Sequence, residues 1–101
     1  MSGKKSRDKG YRGERNLVKL LNEAGIEARR IPLSGATWMK GDLVIVNMKA
    51  EVKVRKEGFK RIYDWLSGND LLFLKADRKD YLVVMRLDLF EKILKGGVKS
   101  E

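Results

Sequence analysis

Apolar residues recur at helical spacing in three segments of the chain. In the first segment, Leu17, Leu20, Leu21 and Ala24 fall on one side of a helix, and Gly25 follows as a residue type that commonly ends helices. Two shorter segments later in the chain show the same spacing, and each is also followed by glycine. The pattern predicts helices over residues 11–24, 59–67 and 88–94.

Five other segments are rich in apolar and β-branched residues between turn-forming positions, which is typical of strands. They cover residues 26–31, 42–46, 50–55, 71–75 and 81–86, and the short interval between the second and third predicts a β-hairpin. The order α-β-β-β-α-β-β-α predicts an α/β fold with a mixed five-stranded sheet flanked by helices. We expect one domain over residues 10–97, with a flexible basic arm at residues 1–9 and a polar tail at residues 98–101.

The charge balance indicates what kind of partner the protein binds. The 101 residues include 23 Lys and Arg against 14 Asp and Glu, a formal net charge of +9. This excess favours a polyanionic partner such as nucleic acid, and a merely soluble basic protein is the alternative. The apolar runs are too short to cross a bilayer and no secretory signal is evident, so we expect no membrane partner and a cytoplasmic location.

Cysteine and histidine are both absent from the chain. The lack of histidine excludes His-based catalytic triads, His-ligated zinc sites and nucleases with a histidine general base. Any hydrolytic chemistry must therefore rely on carboxylates, lysine and a bound cation.

Glu14 lies inside the apolar side of the first predicted helix. At 100° per residue, Leu21 and Leu17 fall about 20° and 60° to one side of Glu14, and Val18 about 40° to the other. A carboxylate turned toward a core is unfavourable unless it is paired or binds a metal. The alternative is a glutamate near a helix start that reaches solvent or favours the positive end of the helix dipole.

The predicted hairpin carries two further acids and a lysine. Because side chains alternate along a strand, Glu51 and Lys53 share one face. A loop with an even number of residues places Asp42 opposite Lys53, with Val44 opposite Glu51, so that Asp42 and Glu51 are diagonal neighbours. A three-residue loop without a bulge would put Asp42 on the other face. For Glu51-Val52-Lys53, an ordinary exposed strand with alternating charges is the alternative.

Three carboxylates, at Glu14, Asp42 and Glu51, would repel one another if they met. Two of them about 4 Å apart repel by ~4 kcal/mol at an effective dielectric constant near 20. Lys53 offsets one of the three charges, and a divalent cation would offset the other two. Oxygen ligands suit a hard ion, so we expect Mg²⁺, with Mn²⁺ as a substitute. Lys53 would orient the attacking water or stabilise charge on a phosphate.

Four segments, taken together and in order, resemble a known family, the archaeal-type Holliday junction resolvases of the PD-(D/E)xK nuclease superfamily. The matching segments are Gly10-Tyr11-Arg12-Gly13-Glu14-Arg15, Arg30-Ile31-Pro32-Leu33-Ser34-Gly35, Gly41-Asp42-Leu43 and Glu51-Val52-Lys53. The resemblance implies a restriction-endonuclease-like fold and a homodimer that nicks four-way DNA junctions with Mg²⁺. It implies metal ligands at Glu14, Asp42, Glu51 and the Val52 carbonyl, and catalytic roles for Glu14, Ser34, Asp42, Glu51 and Lys53.

The sequence departs from the family pattern in two places. Gly41 stands where the family has proline, and the interval from Asp42 to Glu51 is short. From Gly58 onward only the order of elements matches. A compact version of this kind would suit a viral or phage genome, and we expect the protein in a bacterial, archaeal or phage-infected cell.

Basic residues surround the acidic positions along the chain and are expected to contact DNA phosphates, with solvation as the alternative for each one. They are Lys9, Arg15, Arg29, Arg30, Lys40 and Arg55. Trp65 falls partly off the apolar stripe of the second helix. It is either a residue at the edge of the core or a contact between the two subunits of a dimer. Two other functions remain open: a less selective nuclease of the same superfamily that cuts flaps, nicks or duplex, and a non-catalytic nucleic-acid-binding module.

Overall fold

The computed structural model describes residues 2–31 and 43–97, with side chains from residue 12 onward. These residues form two compact units, Met1–Val54 and Arg55–Glu101. The elements follow the predicted order α-β-β-β-α-β-β-α. The predicted polar tail at residues 98–101 lies outside the described residues, and the single domain over residues 10–97 stays a prediction.

The first unit opens with helix α1, Ser2–Glu23. We predicted a flexible arm over residues 1–9, but the structure continues the helix through that segment, which is rich in the good helix formers lysine and arginine and has no proline. The predicted end is confirmed. Gly25 adopts φ +83°, and the backbone N–H groups of Gly25 and Ile26 donate to the carbonyls of Asn22 and Leu21. This pair of bonds is a Schellman motif, which satisfies carbonyls at the helix end.

Three short strands form an antiparallel sheet beside α1: β1 (Ala28–Arg30), β2 (Leu43–Ile45) and β3 (Met48–Ala50), in the order β1-β2-β3. Alternate positions of β1 and β2 face the core, as half-buried strands require. The core of this unit consists of apolar side chains from α1, from β1 and β2, and from the residues that flank β1: Leu21, Ile26, Ala28, Ile31, Leu43 and Ile45.

The hairpin register differs from the prediction. The turn contains two residues, Val46 and Asn47, both with positive φ (46° and 68°), so that Leu43 pairs with Ala50. A two-residue turn with φ positive at both positions matches the twist of the strands, and this preference decides the register. We had placed Val46 inside a strand and residues 47–49 in the loop, which was wrong. The predicted strand over residues 50–55 is also wrong, because β3 ends at Ala50.

The second unit contains helix α2 (Lys60–Leu66), strands β4 (Leu71–Leu74) and β5 (Leu82–Met85), and helix α3 (Leu87–Leu94). The two strands pair antiparallel. The Arg86 guanidinium donates to the carbonyls of Asn69 (3.0 Å) and Leu66 (3.5 Å), which joins the end of α2 to the end of β5. A cation at the carbonyl end of a helix also interacts favourably with the helix dipole.

The mixed α/β character of the chain is confirmed, whereas the five-stranded sheet is not found among the described residues. The strands there form one three-stranded and one two-stranded antiparallel sheet. A mixed sheet needs at least one parallel pair of strands, and every strand pair among the described residues is antiparallel. Residues 51–55, which were predicted to belong to a strand over residues 50–55, form no ladder. Within the described ranges, none of the helices combines the length and apolar character that crossing a membrane requires.

Candidate functional site

The residues predicted to form the site divide into described and undescribed positions. Ser34, Lys40 and Asp42 lie outside the described residues, as does the side chain of Lys9. The described positions are Glu14, Arg15, Arg29, Arg30, Glu51, Val52, Lys53 and Arg55. All except Arg55, which begins the second unit, belong to the first unit.

Glu14 lies on the side of α1 that faces the sheet, as the helical spacing predicts. Its side chain is 18% exposed, and its Oε1 accepts a hydrogen bond from Arg30 Nε at 3.2 Å. Arg30 is the last residue of β1, and its own side chain is 27% exposed. The partly buried carboxylate therefore has the charged partner that such a group requires. The sequence interpretation assigned Arg30 to DNA and missed this pair.

The neighbouring residue of α1, Gly13, lies very close to the segment after β3. A Cβ atom at Gly13 would be 2.5 Å from Val54 Cγ2 and 3.5 Å from Val52 Cγ1. Glycine allows this close approach, because a Cβ atom would overlap the Val54 methyl group in its present rotamer. The close approach fixes the part of α1 that carries Glu14 against residues 52–54.

Glu51 and Lys53 flank Val52 in the segment after β3. Glu51 Oε2 and Lys53 Nζ are 3.4 Å apart, and both side chains are more than half exposed (56% and 57%). An exposed ion pair of this kind contributes little to stability, because water screens the charges and both side chains lose conformational freedom. The ammonium group and the carboxylate therefore lie side by side and are both open to solvent.

The described carboxylates do not form a cluster. Glu14 is bonded to Arg30, Glu51 is paired with Lys53, and no group of three acidic side chains that could hold a metal ion occurs in residues 12–31 or 43–97. Carboxylate oxygens are the right donors for a hard cation. Arg30 is bonded to one oxygen of Glu14, Oε1, and a carboxylate can accept at both of its oxygens.

The basic residues predicted to contact DNA are exposed or half-buried where the structure describes their side chains. Arg15 and Arg29 are exposed, on α1 and β1 respectively, whereas Arg30 is half-buried. Arg29 points away from the core side of the sheet, because it alternates with buried Ala28. In the second unit Arg55 is exposed. Guanidinium groups at such positions can contact phosphate oxygens without reading base sequence.

One comparison with known proteins found a match. The model of the family described as archaeal Holliday junction resolvase (Hjc) matches residues 5–101, which leaves out only the first four residues of the chain. Searches of curated proteins and of solved structures found no match.

Proposed function

We propose, since the chain belongs to the archaeal Holliday junction resolvase family, that it is a structure-selective endonuclease that hydrolyses phosphodiester bonds at four-way DNA junctions. The observation that carries the proposal is the extent of the family match, which covers both compact units of the chain. The net charge of +9 supports a DNA substrate independently, because cations that neutralise phosphates supply most of the affinity for nucleic acid.

The hairpin supports a catalytic centre formed by Asp42, Glu51 and Lys53. Leu43 and Ala50 are paired across β2 and β3. Asp42 directly precedes Leu43, and Glu51 directly follows Ala50, so the register of the described ladder, continued by one pair, would bring the two acids together. Ser34, two residues after Pro32, is proposed as a further catalytic residue on the resemblance of its segment to the family motif.

The proposed cation is Mg²⁺, held by Asp42, Glu51 and the Val52 carbonyl, with Glu14 as a further ligand. When bound, such a cation polarises a phosphoryl oxygen and lowers the pKa of a bound water. The role of Lys53 follows from its own position: its ammonium lies 3.4 Å from a Glu51 oxygen and is more than half exposed, so it can donate hydrogen bonds to a phosphate at the same place. Donors arranged in advance stabilise charge that develops on the phosphate during hydrolysis.

A junction has two strands to cut, so the proposal includes a homodimer. A two-fold dimer would present two identical sites to the symmetric substrate. Trp65, on α2, is 51% exposed, and exposed aromatic residues are enriched in the cores of protein interfaces. Replacement of Trp65 by alanine should raise the concentration at which the dimer dissociates, measured by analytical ultracentrifugation, whereas Tyr81→Ala, which removes another exposed aromatic, should not.

A cleavage assay tests the proposed function. Purified protein is incubated with a labelled four-way junction, a flap and a plain duplex, each with Mg²⁺ or with EDTA. We expect paired nicks in the junction that require Mg²⁺ and disappear in Asp42→Ala and Glu51→Ala, while Glu57→Ala, an exposed acid outside the proposed site, stays active. Cleavage that survives either substitution would contradict the site. Equal cutting of duplex would indicate a less selective nuclease, and binding without cutting a non-catalytic module.

A further inference from the structure

One face of the β4–β5 sheet in the second unit is apolar and open to solvent. Phe73 pairs with Val83, so their side chains share a face, and they are 59% and 49% exposed. The register, continued by one pair, places Lys75 opposite Tyr81 on the same face. Lys75 Nζ lies 5.8 Å from the centre of the Tyr81 ring, which agrees with this placement. Tyr81 is 68% exposed, and these four residues are called the aromatic face.

The opposite face of this sheet lies toward α2. Leu72, Leu74 and Val84 alternate with the residues of the aromatic face and are half-buried, whereas Leu82 is exposed. Strand β4 contacts α2, and Val84 lines a cavity together with Leu66 of that helix. The aromatic face therefore points away from α2, and contiguous apolar residues exposed in this way commonly mark a binding surface.

The chemistry of the aromatic face fits unpaired nucleobases better than a protein surface. Aromatic rings exposed on a sheet can each stack on a base, and such stacking tolerates any sequence. Phe73 and Tyr81 are diagonal neighbours, whose Cα atoms are about 7–8 Å apart in a regular ladder, so each ring can hold a different base. Lys75 places an ammonium group among them. Lysine is depleted from the cores of protein interfaces, whereas phosphates attract it.

The turn that joins β4 to β5 adds cations at the end of this face. Arg78 adopts φ 64°, in a turn closed by a hydrogen bond from the Lys79 N–H to the Ala76 carbonyl (3.1 Å). Glycine and asparagine adopt this conformation more readily than arginine, and strained residues cluster at functional sites. Arg78 and Lys79 are exposed, as are the two carboxylates of the turn, Asp77 and Asp80. Because these four charges cancel, a phosphate would be attracted here by individual cations and not by net charge.

We propose that the aromatic face binds unpaired bases of a nucleic-acid strand, with Phe73 and Tyr81 stacked on two bases and with Lys75 and Arg78 beside the phosphates of the strand. The proposal goes beyond the proposed function, because this surface needs neither the cation nor any residue of the catalytic centre. A base inside a duplex is already stacked on its neighbours on both sides. The aromatic face should therefore favour a single strand over a duplex.

Binding of a single strand in EDTA tests the proposal without any cleavage. The probes are a short labelled oligothymidylate, which cannot pair with itself, and a labelled hairpin duplex, each followed by fluorescence anisotropy with the full chain. Phe73→Leu and Tyr81→Leu should each weaken binding of the oligothymidylate by roughly fivefold or more, because leucine keeps the apolar bulk but not the ring. The same variants should weaken duplex binding much less.

Two control variants keep or remove a ring elsewhere. Tyr81→Phe keeps the ring of the aromatic face and should bind the oligothymidylate like wild type. Tyr63→Leu removes a similarly exposed ring from α2, and it should also bind like wild type.

Cation variants test the placement of the phosphates. Lys75→Gln and Arg78→Gly should each weaken binding of the oligothymidylate and lower the slope of log affinity against log salt concentration by roughly 0.7, the value for one phosphate contact on a single strand. Lys92→Gln removes an exposed cation from α3 and should change neither quantity. Glycine adopts positive φ without strain, so Arg78→Gly should melt no lower than wild type, and its loss of binding is then not a loss of folding.

The outcomes separate nucleic-acid binding from a protein contact and from the nuclease activity. Unchanged oligothymidylate affinity in Phe73→Leu and Tyr81→Leu overturns the proposal, and so does an equal loss in Tyr63→Leu. If those two variants bind normally while Phe73→Glu lowers self-association in analytical ultracentrifugation, the face is a contact with a second copy of the chain. A protein that cuts no junction, yet loses single-strand binding in these variants, would contradict the nuclease and support the aromatic face.

Discussion

Substitution of Gly13 by alanine should destabilise the protein, although alanine is the better helix former. A Cβ atom at this position would be 2.5 Å from Val54 Cγ2, whereas carbon atoms in favourable contact are about 3.5–4.0 Å apart. Either the Val54 side chain must turn to another rotamer, or α1 or residues 52–54 must move by roughly 1 Å, and overpacking of this kind typically costs about 1–3 kcal/mol. The gain in helix propensity from Gly to Ala is about 1 kcal/mol.

The two effects give a net loss of about 1 kcal/mol, because the overpacking term is the larger. For a chain of this size the loss corresponds to a fall in the melting temperature of about 4–8 °C, which thermal unfolding followed by far-UV circular dichroism can measure. The matched control is the double variant Gly13→Ala/Val54→Ala, in which the methyl group that would overlap is absent.

The control decides the cause of the loss. In the Val54→Ala background, Gly13→Ala should be stabilising by about 1 kcal/mol, because only the helix-propensity gain remains, and the cycle of four proteins should give a coupling energy of about 2 kcal/mol. A Gly13→Ala protein that melts above wild type would refute the close approach of α1 to Val54. Equal effects of Gly13→Ala in both backgrounds would refute it too.

Three smaller predictions concern stability alone and can be checked by urea denaturation. Arg86→Ala removes the donor to the Asn69 carbonyl and should lower the free energy of unfolding by about 1–2 kcal/mol. An unchanged free energy of unfolding would contradict this hydrogen bond. Asn22→Ala leaves the Ala28 N–H without its 3.2 Å side-chain acceptor and should cost about 1 kcal/mol. Val46→Asn should stabilise by about 0.5–1 kcal/mol, because a β-branched residue is strained at φ 46°; a loss there would contradict the turn assignment.

Much of the fold could be predicted from local patterns. Helical spacing followed by Gly25 gave the end of α1, and the run of apolar residues on either side of residues 75–81 gave the β4–β5 hairpin. The register of the first hairpin could not be predicted, because Val46 favours a strand by its branched side chain. Only the pairing of Leu43 with Ala50 shows that it occupies the turn instead.

Some features of the candidate site could be predicted from the sequence and others could not. The position of Glu14 inside the apolar side of α1 followed from helical spacing alone, and the structure bears it out with an 18% exposed side chain. Its partner Arg30 could not be identified, because sixteen residues and a change from helix to strand separate the two. The need for a partner was nevertheless visible in the sequence, since a carboxylate facing a core must be neutralised.

The error in register does not remove the proposed pairing of Asp42 with Glu51, and a disulfide can test it. The predicted register made the two acids diagonal neighbours, while the ladder through Leu43 and Ala50, continued by one pair, would place them directly opposite. Directly opposite Cα atoms are about 4.5–5.5 Å apart, within the range of a disulfide, whereas diagonal ones are about 7–8 Å apart.

Because the chain has no cysteine, introduced pairs cannot form a disulfide with any other residue of the same chain. Asp42→Cys/Glu51→Cys should therefore cross-link readily under mild oxidation, detected as faster migration in non-reducing electrophoresis at low protein concentration. Asp42→Cys/Lys53→Cys, the pair that the predicted register would favour, should cross-link more slowly. The reverse order of rates would restore the predicted register, and no cross-link in either pair would mean that the two acids do not meet on this hairpin.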